Sequence, residues 1–348
     1  MAKKNGKINV GVIGLGKSGW GIHIVMLRKV LDKYNIAAVS DPDKKRQKEA
    51  ADEFNCHTYS NFNDLIKDPD VELVIVATPS HLHTSCSIKA LKAGKHVVCE
   101  KPMATSLADA NKMLKTAKKT GMILLPFQNK RYDPDFIQIR KVIDSGKLGR
   151  IIMIKQTSHG FGRRWDWQTL KEFGGGTLNN TAPHAIDQLL QLFGKKDAEE
   201  IFCHLERTMT LGDADDHVKI ILKAKEQPMI DLEITSVCAY PHEHWIVMGT
   251  QGTLDGGAKE LRWKYFDPKK LPSRKVDIKP TPDRSYNKED IPWKEQKWKV
   301  AGATSRDPDF YNDVYKTIRK GKPLYITPES VRRQIALIQK CHRMCPVQ

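Results

Sequence analysis

The sequence predicts an α/β protein with a doubly wound parallel sheet in its N-terminal part and an antiparallel sheet in its C-terminal part. Two observations predict the parallel sheet. Short apolar, β-branched segments alternate with helical segments up to residue 126, and a glycine-rich turn directly follows the first of them. A third observation predicts the antiparallel sheet, because segments after residue 200 alternate apolar and polar residues, as strands with one solvated face do.

Length and charge restrict the class of protein. At 348 residues the chain suits two domains, and its 40% hydrophobic content is that of an ordinary globular protein. The formal net charge is +17, but the lysines are dispersed and no nucleic-acid-binding motif accompanies them. We therefore expect no specific nucleic-acid partner. The charge still favours anionic cofactors and substrates.

Location and metal content are predicted from what the sequence lacks. No apolar run is long enough to span a membrane, and residues 1–7 lead into a strand without the apolar segment of a secretory signal. The seven cysteines are scattered without the spacing of zinc ligands. We therefore predict no membrane association, no metal site, reduced thiols and a cytoplasmic location.

The first predicted strand, 7–13, ends in a G-x-G-x-x-G sequence, and helical spacing follows over 20–31. Between a strand and a helix, these glycines allow a tight turn, close approach of a pyrophosphate and close helix–strand packing. The phosphates then bind at the positive end of the helix. The sequence thus predicts a dinucleotide-binding turn made of Gly14, Gly16, Lys17, Ser18 and Gly19.

The second predicted strand, 36–40, ends at Asp41. A carboxylate in this position would accept both ribose hydroxyls of the adenosine and would repel a 2′-phosphate, which favours NAD. Lys44, Lys45 and Arg46 follow closely and could bind that phosphate, so NADP stays possible.

Two further predicted strands, 72–79 and 95–99, end in polar residues. Because ligands of a doubly wound sheet bind beyond the carboxyl ends of the strands, these residues belong to the cofactor edge. Lys101 could orient a substrate hydroxyl there and relay its proton; the alternative is a salt bridge with Glu100. The residues expected to contact the cofactor here are Thr78, Pro79, His81, His83, Glu100 and Lys101.

A run of three glycines, 174–176, precedes polar residues spaced by about one helical turn. Asn180, His184 and Asp187 could therefore share one helix face. His184 is the candidate general base, because imidazole titrates near neutrality. The alternative is a histidine–aspartate pair with a purely structural role.

Secondary structure is predicted for most of the remaining chain, with residues 259–303 as strands and loops at the sheet's edge. Strands are predicted over 123–126, 151–157, 201–209, 217–224, 229–237 and 244–249, with turns at 212–213 and 252. Helices are predicted over 84–93, 111–120, 135–145, 309–320 and 329–341.

The loop before the glycine run contains two arginines and two tryptophans. Arg164 could bind substrate hydroxyls or a carboxylate, and Trp165 could stack on the C–H groups of a sugar ring. The alternative is ordinary loop packing.

In these segments the chain resembles the Gfo/Idh/MocA oxidoreductases, the family of glucose–fructose oxidoreductase and inositol dehydrogenase. The resemblance covers nearly the full length, and the matching segments are GVIGLGKSG, VIVATPSHLH, GKHVVCEKPMA, NKRYDPDF, GGGTLNNTAPHAID, MGTQGTLDG and IRKGKPLYITPESVRRQIALI. It implies a Rossmann domain, assigned to 1–126, and a second α/β domain, assigned to 127–348, with an open, mostly antiparallel sheet. It also implies NAD(P)-dependent hydride transfer from a secondary hydroxyl of a sugar, inositol or sugar derivative, and a homo-oligomer, dimer or tetramer.

Carried over onto this sequence, the resemblance assigns catalytic roles to Lys101 and His184 and a cofactor or substrate contact to Asn129. The aspartate of the family's motif falls on Asn180, which is also assigned to the catalytic residues. Asn180 can still hydrogen-bond His184 or a substrate hydroxyl, but it cannot favour an imidazolium by its charge. Pro183 fits only the first turn of a helix, so the helix is expected to begin near Ala182.

Two alternatives to a simple dehydrogenase follow from the same residues. Some relatives oxidise a sugar transiently, so that a glycosidic bond is cleaved or a centre is epimerised while NAD is recycled. The other alternative is a dinucleotide-binding regulatory protein without catalysis, for which Asn180 is the only support.

Overall fold

The computed structural model describes residues 6–281, 284–302 and 308–347. Most of the predicted N-terminal segment 1–7, and three residues of the predicted edge segment 259–303, lie outside these ranges. Within the described ranges, no helix combines the length and apolarity needed to cross a membrane.

Six parallel strands form the first sheet, in the order β3-β2-β1-β4-β5-β6. This order reverses direction at β1 and β4, which makes the sheet doubly wound, as predicted. Its strands are β1 (Ile8–Ile13), β2 (Tyr34–Ser40), β3 (His57–Tyr59), β4 (Leu73–Val76), β5 (His96–Cys99) and β6 (Leu124–Pro126).

Helices cover both faces of this sheet. A wide helical turn (Gly19–Ile24) follows the glycine loop and continues as α1 (Val25–Arg28). The other helices are α2 (Lys44–Phe54), α3 (Phe62–Lys67), α4 (His83–Lys92) and α5 (Leu107–Thr120). The sequence analysis did not predict β3, α2 or α3. Helix α2 buries only Gln47 and Ala50, so it has almost no apolar periodicity to detect.

In the part of the chain that the structure describes, eight strands form the second sheet, in the order β14-β13-β12-β11-β7-β10-β9-β8, and only β7 and β10 pair in parallel. The predicted open, mostly antiparallel sheet is confirmed. Its strands are β7 (Ile151–His159), β8 (Glu200–Glu206), β9 (His217–Lys223), β10 (Met229–Thr235), β11 (Trp245–Gly249), β12 (Gly252–Gly256), β13 (Glu260–Tyr265) and β14 (Lys294–Lys299).

Two predicted boundaries in this sheet are wrong. Strand β8 ends at Glu206 because the following backbone amides, at residues 208–210, donate to the Asp216 carboxylate and not to a neighbouring strand. Gly252, predicted as a turn, is the first residue of β12 and pairs with Gly249. A Cβ at Gly252 would lie 2.3 Å from Lys264 O, so the close approach of β13 requires this glycine.

Among the described residues after 126, the α-helices are α6 (Pro134–Asp144), α7 (Thr177–Asn180), α8 (Ala182–Phe193), α9 (Asp309–Lys320) and α10 (Pro328–Met344). Helix α8 buries its apolar face against the second sheet. Helix α9 returns to the first core, where Phe310, Tyr311 and Val314 are buried. The division after residue 126 stays a prediction, and the return of α9 means that residues from both parts build the first core.

Candidate active site

The glycine loop has the geometry that a dinucleotide requires. Gly14 has φ +88°, and a Cβ there would lie 2.6 Å from Ala77 O; a Cβ on Gly19 would lie 1.8 Å from Gly14 O. Gly16, in contrast, has open space around its Cβ position. These are a tight turn, close helix–strand packing and a position for close approach of a phosphate. Helical hydrogen bonds begin at once, with Trp20 N donating to Gly16 O over 2.9 Å.

A cleft of about 940 Å³ opens beyond the carboxyl ends of the parallel strands. The structure brings nine of the predicted site residues to its wall: Gly14, Gly16, Lys17, Ser18, Asp41, Arg46, Thr78, Pro79 and Arg164. Gly19 packs beneath the loop against Gly14. Sequence reasoning missed Ser60, Asn61 and Phe62, which line the cleft after β3. The only signal for them would have been recognition of that short strand.

Asp41 lies where β2 ends and is almost fully buried. Its two carboxylate oxygens accept hydrogen bonds from Leu15 N (2.8 Å) and Asp43 N (2.9 Å). The Arg46 guanidinium lies 3.5 Å from the same carboxylate and is half-exposed. The residues therefore fit a ribose at this end of the cleft, because each carboxylate oxygen keeps a second lone pair for a hydroxyl.

Two predicted cofactor contacts are engaged within the protein and do not line the cleft. The ring nitrogens of buried His83 lie 2.7 Å from Pro102 O and 2.9 Å from Thr78 O. Glu100 contacts His23 Nε2 (3.2 Å) and accepts from Lys101 N (2.9 Å). Burial raises the pKa of Glu100, but the hydrogen bond and charge of His23 outweigh it and lower that pKa to about 2. Both residues hold the strand ends in place, and their contact with a cofactor stays a prediction.

The two other residues predicted to contact the cofactor, His81 and Asn129, lie outside the wall of the cleft. His81 is exposed, and its ring lies 5.8 Å from that of Phe173. Asn129 is half-buried and begins a short helical turn (Asn129–Tyr132). Neither lines the cleft.

Lys101 extends across to the second part of the chain. Its Nζ donates to the backbone carbonyl of Asn180 over 2.7 Å. The alternative of a salt bridge with Glu100 is not formed, since Glu100 contacts His23. Burial lowers the pKa of Lys101, and the charge of Glu100 only partly opposes this. An amine with a lowered pKa is a better proton acceptor near neutral pH.

His184 lies one helical turn beyond Asn180, in the first turn of α8. The helix begins at Ala182 with Pro183 in its first turn, which confirms the predicted start. His184 Nδ1 lies 3.0 Å from Gln128 Oε1. Burial and then the charge of Lys101 lower the pKa of His184 to about 3, so the imidazole is neutral at physiological pH.

The side chains of Asn180, His184 and Asp187 do not contact one another but have separate partners. Thr181, between α7 and α8, keeps helical backbone angles (φ -99°, ψ -49°), and the Asn180 amide donates to Gln168 O over 3.3 Å. Asp187 is buried and accepts two 2.6 Å hydrogen bonds from Arg131. Asp187 is therefore structural, which was the alternative interpretation of this residue.

The loop residues predicted to bind substrate are separated by the structure. Arg164 lines the cleft, where it donates to Asp166 (2.8 Å) and Gln168 (2.7 Å). Trp165 is 76% exposed and does not line the cleft, whereas Trp167 does. Trp167 begins a short helical turn (Trp167–Thr169) that is capped by Asp166. Trp167 is therefore the tryptophan of this loop that lines the cleft, and a substrate contact of Trp165 stays a prediction.

The fold and the cleft together define an NAD-binding oxidoreductase. Residues 8–127 match the model of the oxidoreductase family with an NAD-binding Rossmann fold, and residues 136–255 match the GFO/IDH/MocA C-terminal domain. The chain belongs to the GFO/IDH/MocA family, and this confirms the resemblance. Members of this family act on small molecules.

Relatives of the chain include named dehydrogenases. An uncharacterized oxidoreductase of Schizosaccharomyces pombe is 30% identical over 257 residues, covering 71% of this chain and 70% of that protein. The scyllo-inositol 2-dehydrogenase (NADP(+)) IolW of Bacillus subtilis is 35% identical over 200 residues, covering 56% and 54%. The inositol 2-dehydrogenase of Salmonella typhimurium is 28% identical over 255 residues, covering 71% and 73%.

Solved structures share the whole fold. An NAD-binding protein from Listeria innocua superposes with a TM-score of 0.82 at 23% identity, covering 98% of both chains. The WlbA dehydrogenase from Bordetella pertussis, in complex with NADH and UDP-GlcNAcA, superposes with a TM-score of 0.78 at 22% identity, covering 97% and 95%. At these identities the likeness supports the fold alone.

Proposed function

We propose that the protein is an NAD-dependent dehydrogenase that oxidises a secondary hydroxyl of a sugar, inositol or sugar derivative. The observation that carries the proposal is the contact between Lys101 Nζ and Asn180 O, one helical turn before His184. Lys101 and His184 both have lowered pKa values, and the charge of Lys101 contributes to the lowering at His184. Titratable groups perturbed in this way are typical of sites that transfer protons.

The residues of the cleft fit a dinucleotide. Gly14, Gly16 and Gly19 would hold its pyrophosphate, and Asp41 its adenosine ribose. The bound cofactor supplies the acceptor for a hydride. Lys101 orients the reacting hydroxyl and, together with neutral His184, accepts its proton as the C–H bond breaks.

Asp41 supports NAD as the preferred cofactor. Its buried carboxylate would accept ribose hydroxyls, whereas a 2′-phosphate would meet its negative charge. Arg46, 3.5 Å from that carboxylate, is the residue through which NADP would be accommodated. Relative activities with NAD and NADP test this preference, and equal activities would contradict it.

The substrate class is supported by two inositol dehydrogenases among the relatives and by the polar wall of the cleft. Arg164, Asp166 and Gln168 offer donors and acceptors suited to a polyhydroxy compound, and Trp167 offers an apolar face.

A cofactor and substrate panel tests the proposal. Purified protein is mixed with NAD or NADP and with inositols, sugars and sugar acids, and both NADH formation and product are measured. The expected result is NADH in equal amount to an oxidised product. Product without net NADH would favour recycled NAD, and tight NAD binding without any product would favour a regulatory role.

A further inference from the structure

We propose that two buried glutamines, Gln128 and Gln334, act as positioning residues that keep the proton of His184 on Nδ1 and leave Nε2 as the proton acceptor. Both side chains are buried. Gln128 follows strand β6, and Gln334 lies on α10, so the base is controlled by elements distant from it in sequence.

A chain of hydrogen bonds connects these residues. Gln334 Nε2 donates to the backbone carbonyl of Pro183. Gln128 Nε2 donates to Gln334 Oε1 over 2.8 Å, and Gln128 Oε1 lies 3.0 Å from His184 Nδ1. Because Pro183 and His184 are neighbours in α8, the chain closes into a ring.

The orientation of each amide in this chain of hydrogen bonds follows from the group at its end, the Pro183 carbonyl. The Pro183 carbonyl can only accept, so Gln334 must present its NH₂ group there and its oxygen to Gln128. Gln128 must then present its NH₂ group to Gln334 and its oxygen to His184. An amide oxygen only accepts, so Nδ1 must carry the proton. If either amide were rotated by 180°, a donor would face a donor or an acceptor would face an acceptor in a buried site.

The neutral imidazole makes this control necessary. A neutral histidine has one proton for two nitrogens, and it can accept a proton only at the other nitrogen. In the described part of the chain no side chain or backbone group bonds to Nε2 of His184, which leaves it for a substrate hydroxyl. Asn180 does not contact the ring and cannot set the tautomer.

The catalytic consequence rests on the proposed function, but the position of the proton does not. Nuclear magnetic resonance of protein labelled with ¹⁵N-histidine shows which ring nitrogen is protonated, and the His184→Asn spectrum assigns the signal among the 12 histidines. The expected result is a proton on Nδ1. A proton on Nε2 in the wild-type protein would overturn the proposal, whatever the substrate.

Gln334→Met tests the remote member of the ring, which does not touch His184. Without Gln334 the Gln128 amide is free to turn, and both tautomers of His184 become populated. We expect kcat to fall roughly ten- to hundred-fold with KM changed little, because wrong tautomers disable the base and not binding. A single Nδ1–H signal with unchanged kcat would contradict the proposal.

Two further variants separate positioning from packing. In Gln128→Glu combined with Gln334→Met, both carboxylate oxygens accept, so the Nδ1–H form and most of kcat should return without any orienting partner. Failure of this rescue, with the fold intact, would mean that Gln334 only packs. Gln128→Met alone removes the acceptor at Nδ1 and should populate both tautomers of His184; an unchanged Nδ1–H signal in this variant would contradict the proposal even if Gln334→Met does not fold.

Gln188→Met is the matched control. Gln188 is a buried amide on the same helix; it accepts from Gln156 (3.0 Å) and donates to Lys130 O (2.7 Å), without contact to His184. Its loss should leave the His184 tautomer and kcat unchanged. An equal loss of the Nδ1–H signal in this variant would attribute the effect to general loosening and refute the relay.

Discussion

The nucleotide loop and the Lys101–His184 pair lie at the same edge of the first sheet but are built in different ways. The loop is made of backbone and depends on the absence of side chains at Gly14, Gly16 and Gly19. The proton-accepting pair is made of side chains held by partners far away in sequence. Binding a dinucleotide therefore requires space at a helix start, whereas placing a base requires a buried and fully paired surrounding.

The largest expected effect separates catalysis from cofactor binding. Lys101→Met keeps the apolar stem and removes the amine, so kcat should fall about 10²–10⁴-fold. NAD affinity should stay within a few-fold, because the loop and Asp41 are unchanged. Steady-state kinetics and calorimetric NAD titration measure the two quantities. Parallel loss of both would show that the two regions are not separable.

The next effect concerns the buried ion pair of Arg131 and Asp187, which holds the helix that carries His184. Asp187→Asn leaves the buried Arg131 charge unpaired and should lower the free energy of unfolding by about 3–5 kcal/mol. Asp52→Asn is the control, because Asp52 forms an exposed pair with Lys48 at 2.7 Å, and such pairs contribute about 1 kcal/mol or less. Denaturant unfolding compares the two, and equal losses would contradict the structural role of Asp187.

Substitutions of two glycines in the same helical turn test the packing of the nucleotide loop. A Cβ at Gly19 would lie 1.8 Å from Gly14 O, so Gly19→Ala should cost about 2 kcal/mol of stability or more and weaken NAD binding. Gly21 has open space around its Cβ position, and Gly21→Ala should be neutral or stabilise by up to about 1 kcal/mol. Thermal unfolding with and without NAD distinguishes them; similar behaviour would refute the packing argument.

The last effect is the pH dependence of stability. The pKa of His184 is about 3 in the folded protein against an ordinary 6.5, so below pH 6.5 the unfolded chain binds a proton that the folded protein does not. Stability therefore falls as pH decreases through this window, by at most about 1.4 kcal/mol per pH unit from this residue. His184→Asn should make that fall shallower, and an unchanged slope would contradict the burial of a neutral imidazole.

The two regions also differ in how far sequence predicts them. Gly14, Gly16, Gly19 and Asp41 follow local rules for a turn and a strand end, and the structure brings all four to the expected place. Lys101 and the start of α8 were predicted for the same reason.

Long-range partners could not be predicted. Gln128 and Gln334 are 206 residues apart, and Arg131 and Asp187 are 56 apart, so no local pattern joins them. Trp165 and Trp167 are two residues apart in one loop, and no local pattern shows that only Trp167 lines the cleft. Helix α2 was not predicted because its sequence is polar almost throughout.

The most direct test of the central claim, that the cleft and the Lys101–His184 pair serve one hydride transfer, uses a substrate deuterated at the carbon that bears the reacting hydroxyl. The substrate is incubated with NAD and protein, and the recovered dinucleotide is analysed by mass spectrometry. Wild-type protein should yield NADH carrying one deuterium, and Lys101→Met should bind NAD but yield almost none. Deuterium released to water, or deuterated NADH formed equally well by Lys101→Met, would contradict the account.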